Sequence, residues 1–126
     1  MVRRKKIILM FEEIEIRIIS MRENVSYLVG KNAEGNFKII DMAEPNDIWF
    51  HIDGSPSSHI IARMKDNKIT KKQKNSIIIQ GSLLCKKFSK CKCSIQKTII
   101  YTEVKNVRKT EIIGSVIASN LRNRSV

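Results

Sequence analysis

The segment Asp47-Ile48-Trp49-Phe50-His51-Ile52-Asp53 constrains the fold more than any other stretch of this chain. Side chains on a strand alternate with period two. Ile48, Phe50 and Ile52 therefore make one apolar face, and Asp47, Trp49, His51 and Asp53 make the other. That second face sets an indole, an imidazole and two carboxylates within ~13 Å of strand rise. Asp53-Gly54-Ser55-Pro56 is turn chemistry, and Ser58 to Met64 reads as a returning strand. Residues 47–64 are thus expected to form a hairpin, with His51 and His59 close together on its two arms.

The rest of the pattern extends the sheet. Glu13 to Ile18 alternates polar and apolar, as a half-buried strand does. Val25 to Val29 is a second strand, and Ser20 to Asn24 is short enough to join the two as an antiparallel hairpin. Asn36 is placed to cap a short helix over Phe37 to Ala43, ended by Pro45. Lys65 to Lys74 reads as a charged linker. Ser76 to Lys90 reads as a long helix, with Ile77, Gly81, Leu84 and Phe88 on one face and Gly81 permitting close approach to a sheet. Ser94 to Val104 and Glu111 to Ser119 are further strands, and residues 120–126 are expected to fray. The sum is an α+β fold: a mostly antiparallel sheet built from hairpins, with one long and one short helix packed on it. At 126 residues, the length of one domain, residues 1–126 are expected to fold as a unit.

Charge is distributed unevenly. Lys and Arg number 24 against 12 Asp and Glu, a net +12. Residues 1–64 hold nine of each sign, net zero; residues 65–126 hold the remaining 15 cations and three carboxylates, net +12. Concentration in one half points to a basic surface and a polyanionic partner. Three cysteines, an odd number, argue against a disulfide framework and for a reduced, cytoplasmic setting. Cys85, Cys91 and Cys93 lack the paired C-x2-C spacing of structural zinc sites, so free thiols and no metal or other cofactor are expected. No signal peptide is evident. No apolar run approaches the ~18 residues of a membrane span, so no membrane partner is expected.

Four blocks, read in order, resemble one family. GKNAEGN (30–36), NDIWFHI (46–52), SPSSHII (55–61) and YTEVKNVRKT with the following IIGSV (101–116) are similar to the NFACT RNA-binding domain, NFACT-R. That domain occurs late in the nuclear export mediator factor and in ribosome quality-control proteins, and alone or with a coiled coil in short proteins. The resemblance spans roughly residues 12–119. It departs from the family pattern at Ser57, where a Gly is usual before Ser-His. It implies a nucleic-acid-binding module, for RNA before DNA, with tRNA or rRNA and the ribosome as expected partners. Family position marks Lys31 and Asn32 as binding candidates.

Several residues admit two readings. Trp49 is either a core anchor or a ring on which a base stacks, and His51 and His59 either brace the hairpin or contact the nucleic acid. Lys86, Lys87, Lys90 and Lys92, with Lys105, Arg108 and Lys109, are the expected source of affinity through phosphate contacts. No nucleophile with a supporting triad is apparent, so a non-enzymatic RNA-binding module is the leading expectation. A protein-interaction module is the second, and a nucleic-acid-processing enzyme using Asp47, His51 and His59 the third.

Overall fold

The computed structural model describes residues 10–65, 68–89 and 95–126. Its main sheet has six strands: β1 (Phe11–Ile18), β2 (Glu23–Gly30), β3 (Ile48–Ile52), β4 (Ile60–Ala62), β5 (Thr98–Glu103) and β8 (Arg122–Ser125). They lie in the order β1-β2-β4-β3-β5-β8, every pair antiparallel. Both expected hairpins form. β1 pairs with β2 across a 3-10 turn at Ile19–Met21, and β3 pairs with β4. β6 (Val107–Lys109) and β7 (Val116–Ala118) make a separate two-stranded sheet.

Among the described residues two helices complete the fold, α1 (Ala33–Met42) and α2 (Lys71–Lys87). They cover opposite faces of the main sheet. One core joins Ile77, Ile78, Leu84 and Cys85 of α2 to Tyr27, Ile48, Phe50, Ile52 and Ile60. The other joins Ile39 of α1 and Val107 of β6 to Leu28, Trp49 and Ile61. The period-two split of β3 is thus correct, but both of its faces are interior. The Tyr27 hydroxyl, buried with its pKa driven up by desolvation, donates to the Ile77 carbonyl and ties the sheet to α2 (2.8 Å). Gly81 lets that helix descend onto the sheet: a Cβ there would lie 2.3 Å from Phe50 Cζ.

Four sequence expectations are corrected. Asn32, not Asn36, caps α1; its side chain accepts from the Gly35 N–H (2.7 Å), so the helix begins four residues earlier than expected. The long helix begins at Lys71, inside the supposed linker, because Thr70 and Gln73 form a reciprocal capping box. Residues 111–119 yield only β7, and β6 precedes them. Finally, residues 122–125 are not frayed but pair with β5 from Thr98↔Ser125 to Tyr101↔Arg122.

Candidate nucleic-acid interface

The hairpin of β3 and β4 brings Trp49, His51 and His59 together as expected. Trp49 is 2% exposed and His59 4%. The indole Nε1–H donates to His59 Nδ1 (3.1 Å), which fixes His59 as the tautomer protonated on Nε2. Burial, with the neighbouring His51 as a lesser cause, pushes the His59 pKa down to about 3. His51 lies parallel to the Trp49 ring, centroids 5.7 Å apart, and edge-on to His59 at 5.1 Å. Its Nδ1–H donates to the Ile52 carbonyl (2.6 Å). Desolvation lowers the His51 pKa, opposed by that bond and by Asp53.

A buried indole whose one N–H is already used offers no face to a nucleobase, so Trp49 is a framework residue and not a stacking platform. His59 is likewise interior. Of the three, His51 alone is half-buried. Asp47 stands apart from the imidazoles: its two carboxylate oxygens accept from the Glu44 N–H (2.8 Å) and the Met64 N–H (2.7 Å), holding both ends of the hairpin. Asp47, His51 and His59 therefore do not assemble as an acid–base set.

The Gly30-Lys31-Asn32 turn serves the same framework. A Cβ on Gly30 would sit 2.0 Å from Asn36 Oδ1, so only glycine admits the Asn36 side chain there. Asn36 Oδ1 in turn accepts from the His59 N–H (3.2 Å), and the Gly30 N–H donates to the His59 carbonyl (2.9 Å). Ser57, where the family pattern has Gly, uses its hydroxyl: Oγ accepts from the Ile52 N–H (3.1 Å) and donates to the Ser58 carbonyl (3.2 Å). Beside this turn is a cleft of about 610 Å³, walled by Lys31, Asn32, Ser57, Phe88 and Gly114. Lys31 crosses its rim, paired with Glu12 (3.0 Å) and lying 5.6 Å from the Phe88 ring centre.

The described members of the expected basic set sit on different elements. Lys86 donates to the Val126 carbonyl (3.2 Å), and Lys87 projects over Phe88 at the C-terminal end of α2. Lys105 pairs with Glu103 (3.7 Å) beyond β5. On β6, Arg108 is exposed, whereas Lys109 pairs with Asp41 of α1 and covers Phe37 (4.9 Å). Lys90 and Lys92, like Cys91 and Cys93, lie outside the described residues. Cys85 is buried against Ser57 and Ser58, and desolvation raises its thiol pKa to about 12.

The model of the NFACT protein RNA-binding domain matches residues 14–119. The chain belongs to this family. Among curated relatives it is 31% identical over 83 residues to the coiled-coil domain-containing protein 25 of Danio rerio, covering 65% of this chain and 40% of that protein. It is 29% identical over 86 residues to the Rqc2 homolog RqcH of Bacillus subtilis, covering 68% of this chain and 14% of that one. Its fold matches the C-terminal part of the fibronectin/fibrinogen-binding protein of Streptococcus suis with TM-score 0.70 at 26% identity, over 81% of this chain and 41% of the other. The chain thus spans well under half the length of these relatives.

In this NFACT-R chain the family blocks map onto the frame: the Gly-Lys-Asn turn, the Asp-x-Trp-x-His strand and the Ser-His step contact one another directly. Sequence reasoning missed Lys71, Lys72 and Lys74, which sit exposed in the first turn of α2. The signal was present as Thr70-x-x-Gln73, which converts a lysine run from a linker into an ordered helical turn.

Proposed function

We propose that this chain is a non-enzymatic RNA-binding module, cytoplasmic and associated with the ribosome quality-control machinery. Family membership carries the reading. Its physical support is an excess of cations that nearby carboxylates do not neutralise. Ion pairs engage Lys31, Lys105 and Lys109, while Lys71, Lys72, Lys74, Lys87 and Arg122 have no carboxylate within pairing distance among the described residues. Such charges release counterions from a polyanion on contact, which supplies affinity independent of sequence. tRNA and rRNA are the RNAs this reading favours. A ribosome-linked role is supported by the likeness to the Rqc2 homolog RqcH.

Fluorescence anisotropy with labelled tRNA and single-stranded RNA across a salt series tests this. With six phosphates neutralised, log K should fall against log[salt] with a slope of roughly 0.7 × 6, about 4. No binding at low salt, or a flat slope, refutes the reading. A protein-docking role is the alternative, favoured by Ile112, Ile113 and Ile117, which are 72%, 57% and 59% exposed around the small sheet. Capture of ribosomes that survives nuclease and high salt would support it.

A further inference from the structure

A second concavity, of about 940 Å³, lies between the start of α2 and the β5–β8 side of the main sheet. Three elements contribute cations to its walls. Lys71, Lys72 and Lys74 come from the first turn of α2, Arg122 from β8, and Lys105 from the 3-10 turn after β5. Among the described residues Glu103 is the one carboxylate on these walls, and it is paired with Lys105. The described lining thus carries five positive charges against one negative.

Two features mark this charge as placed for a ligand. Three lysines occupy the first turn of α2, and no acidic residue accompanies them there. Cations at that end oppose the helix dipole, so the free protein gains nothing from the arrangement and a bound anion relieves it. The groove walls are also ordered independently of any ligand. Arg124 Nη1 donates to Asn75 Oδ1 (2.8 Å) and ties β8 to α2. The Thr102 hydroxyl donates to the Ser119 carbonyl and accepts from Asn106 Nδ2, both at 3.0 Å.

Tyr101 supplies a ring in the same groove. It is half-buried, opposite Arg122 on β8, and its centroid lies 6.1 Å from that of Phe50 in the core. A cationic groove with an aromatic residue in its wall matches the composition of sites that hold single-stranded nucleic acid without regard to sequence. A cavity of this volume falls in the range of small-molecule clefts.

We infer that the groove between α2 and the β5–β8 edge is a track for single-stranded RNA, with Lys71, Lys72, Lys74, Lys105 and Arg122 on its phosphates and Tyr101 beside a base. The inference rests on the RNA-binding reading and adds to it a location and a strandedness.

The test uses the full chain and a labelled 12-nucleotide oligouridine. K71Q/K72Q/K74Q is compared with R17Q/K38Q/K65Q, which removes equal charge from exposed positions off the groove. The groove variant should lose at least tenfold in affinity at moderate salt, and its log–log salt slope should become shallower by about 2, at roughly 0.7 per phosphate. The control should change less than threefold. The melting temperature of the groove variant should be equal or higher, since the lysines oppose the helix dipole. Photocrosslinking from 4-thiouridine should mark peptides containing residues 71–75 or 98–106. Equal losses in the two variants, crosslinks only elsewhere, or tighter binding of a 12-base-pair duplex would overturn the groove while leaving RNA binding intact. Failure of the wild-type chain to bind any RNA would remove both.

Discussion

Acid should loosen this fold through the buried imidazole of His59, and the amount follows from where that ring sits. In the native state His59 is 4% exposed, its Nδ1 accepts the Trp49 indole proton, and its pKa is held at about 3. In the unfolded chain it titrates near the ordinary 6.5. Between these values the unfolded state binds a proton that the native state does not, so stability falls as pH falls. The contribution is complete above pH 6.5 and is lost progressively below it. At pH 5.0 the loss is (6.5 − 5.0) × roughly 1.36, about 2 kcal/mol. That figure depends on the unfolded pKa alone as long as the native one lies well below 5. Against a typical 5–15 kcal/mol of total stability it is a large fraction. Urea unfolding at pH 7.5, 6.0 and 5.0 measures it, in a window above the ordinary range of the carboxylates. His59→Gln keeps an amide oxygen to receive the indole N–H and removes the titration. The variant should be less stable at pH 7.5, by about 1–3 kcal/mol for an imperfect buried hydrogen bond. Its deficit should shrink by about 2 kcal/mol at pH 5.0. Parallel curves for the two proteins across this range would refute the buried, neutral assignment of His59.

Two further outcomes follow from the packing. Gly81→Ala pushes a methyl into the Phe50 ring, 2.3 Å from Cζ, and should destabilise by about 1–3 kcal/mol with a lower melting temperature; an unchanged melting temperature would show that α2 stands further off the sheet. Cys85, buried with its thiol pKa raised to about 12, should resist iodoacetamide in the native protein at pH 8 and label only on unfolding, as read by peptide mass spectrometry.

Much of the frame was legible in the sequence for physical reasons. Glu13 to Ile18 alternates because β1 is half exposed. The turns at 20–24 and 53–56 are short enough to force antiparallel partners. Ile77, Gly81 and Leu84 mark the face of α2 that meets Phe50 and Ile60. The misses have a common cause. Period-two alternation states which side chains share a face, but not whether another layer covers it. Trp49 and Asp47 look like a polar face until α1 and the small sheet are placed over them. β8 escaped notice because Arg122-Asn-Arg-Ser125 has almost no apolar content; it is held to β5 by backbone pairing alone at its exposed positions. The basic set was read as one surface because it is contiguous in charge along the chain. The fold instead sends Lys86 and Lys87 to one end of α2, Lys71 to Lys74 to the other, and Lys109 to α1.

The residues that identify this chain and the residues proposed to bind RNA therefore occupy different layers. Gly30, Asn36, Trp49 and His59 form one continuous network of close contacts and hydrogen bonds, Asp47 separately ties Glu44 and Met64 at the base of the same hairpin, and Asp47, Trp49 and His59 are buried. A charged polymer cannot reach Asp47, Trp49 or His59 without unfolding the hairpin, whereas Gly30 and Asn36 line the cleft beside it. Among the described residues the cation at its edge is Lys31, which is already paired with Glu12. Mutations in the two layers should then separate in their signatures. A change at Asp47 or Trp49 alters stability first and binding only through it. A change at Lys71, Lys72 or Lys74 alters binding and its salt dependence while the frame stays intact. A loss of RNA binding in a Trp49 variant accordingly measures the frame, and only a variant that melts like the wild type reports on the interface.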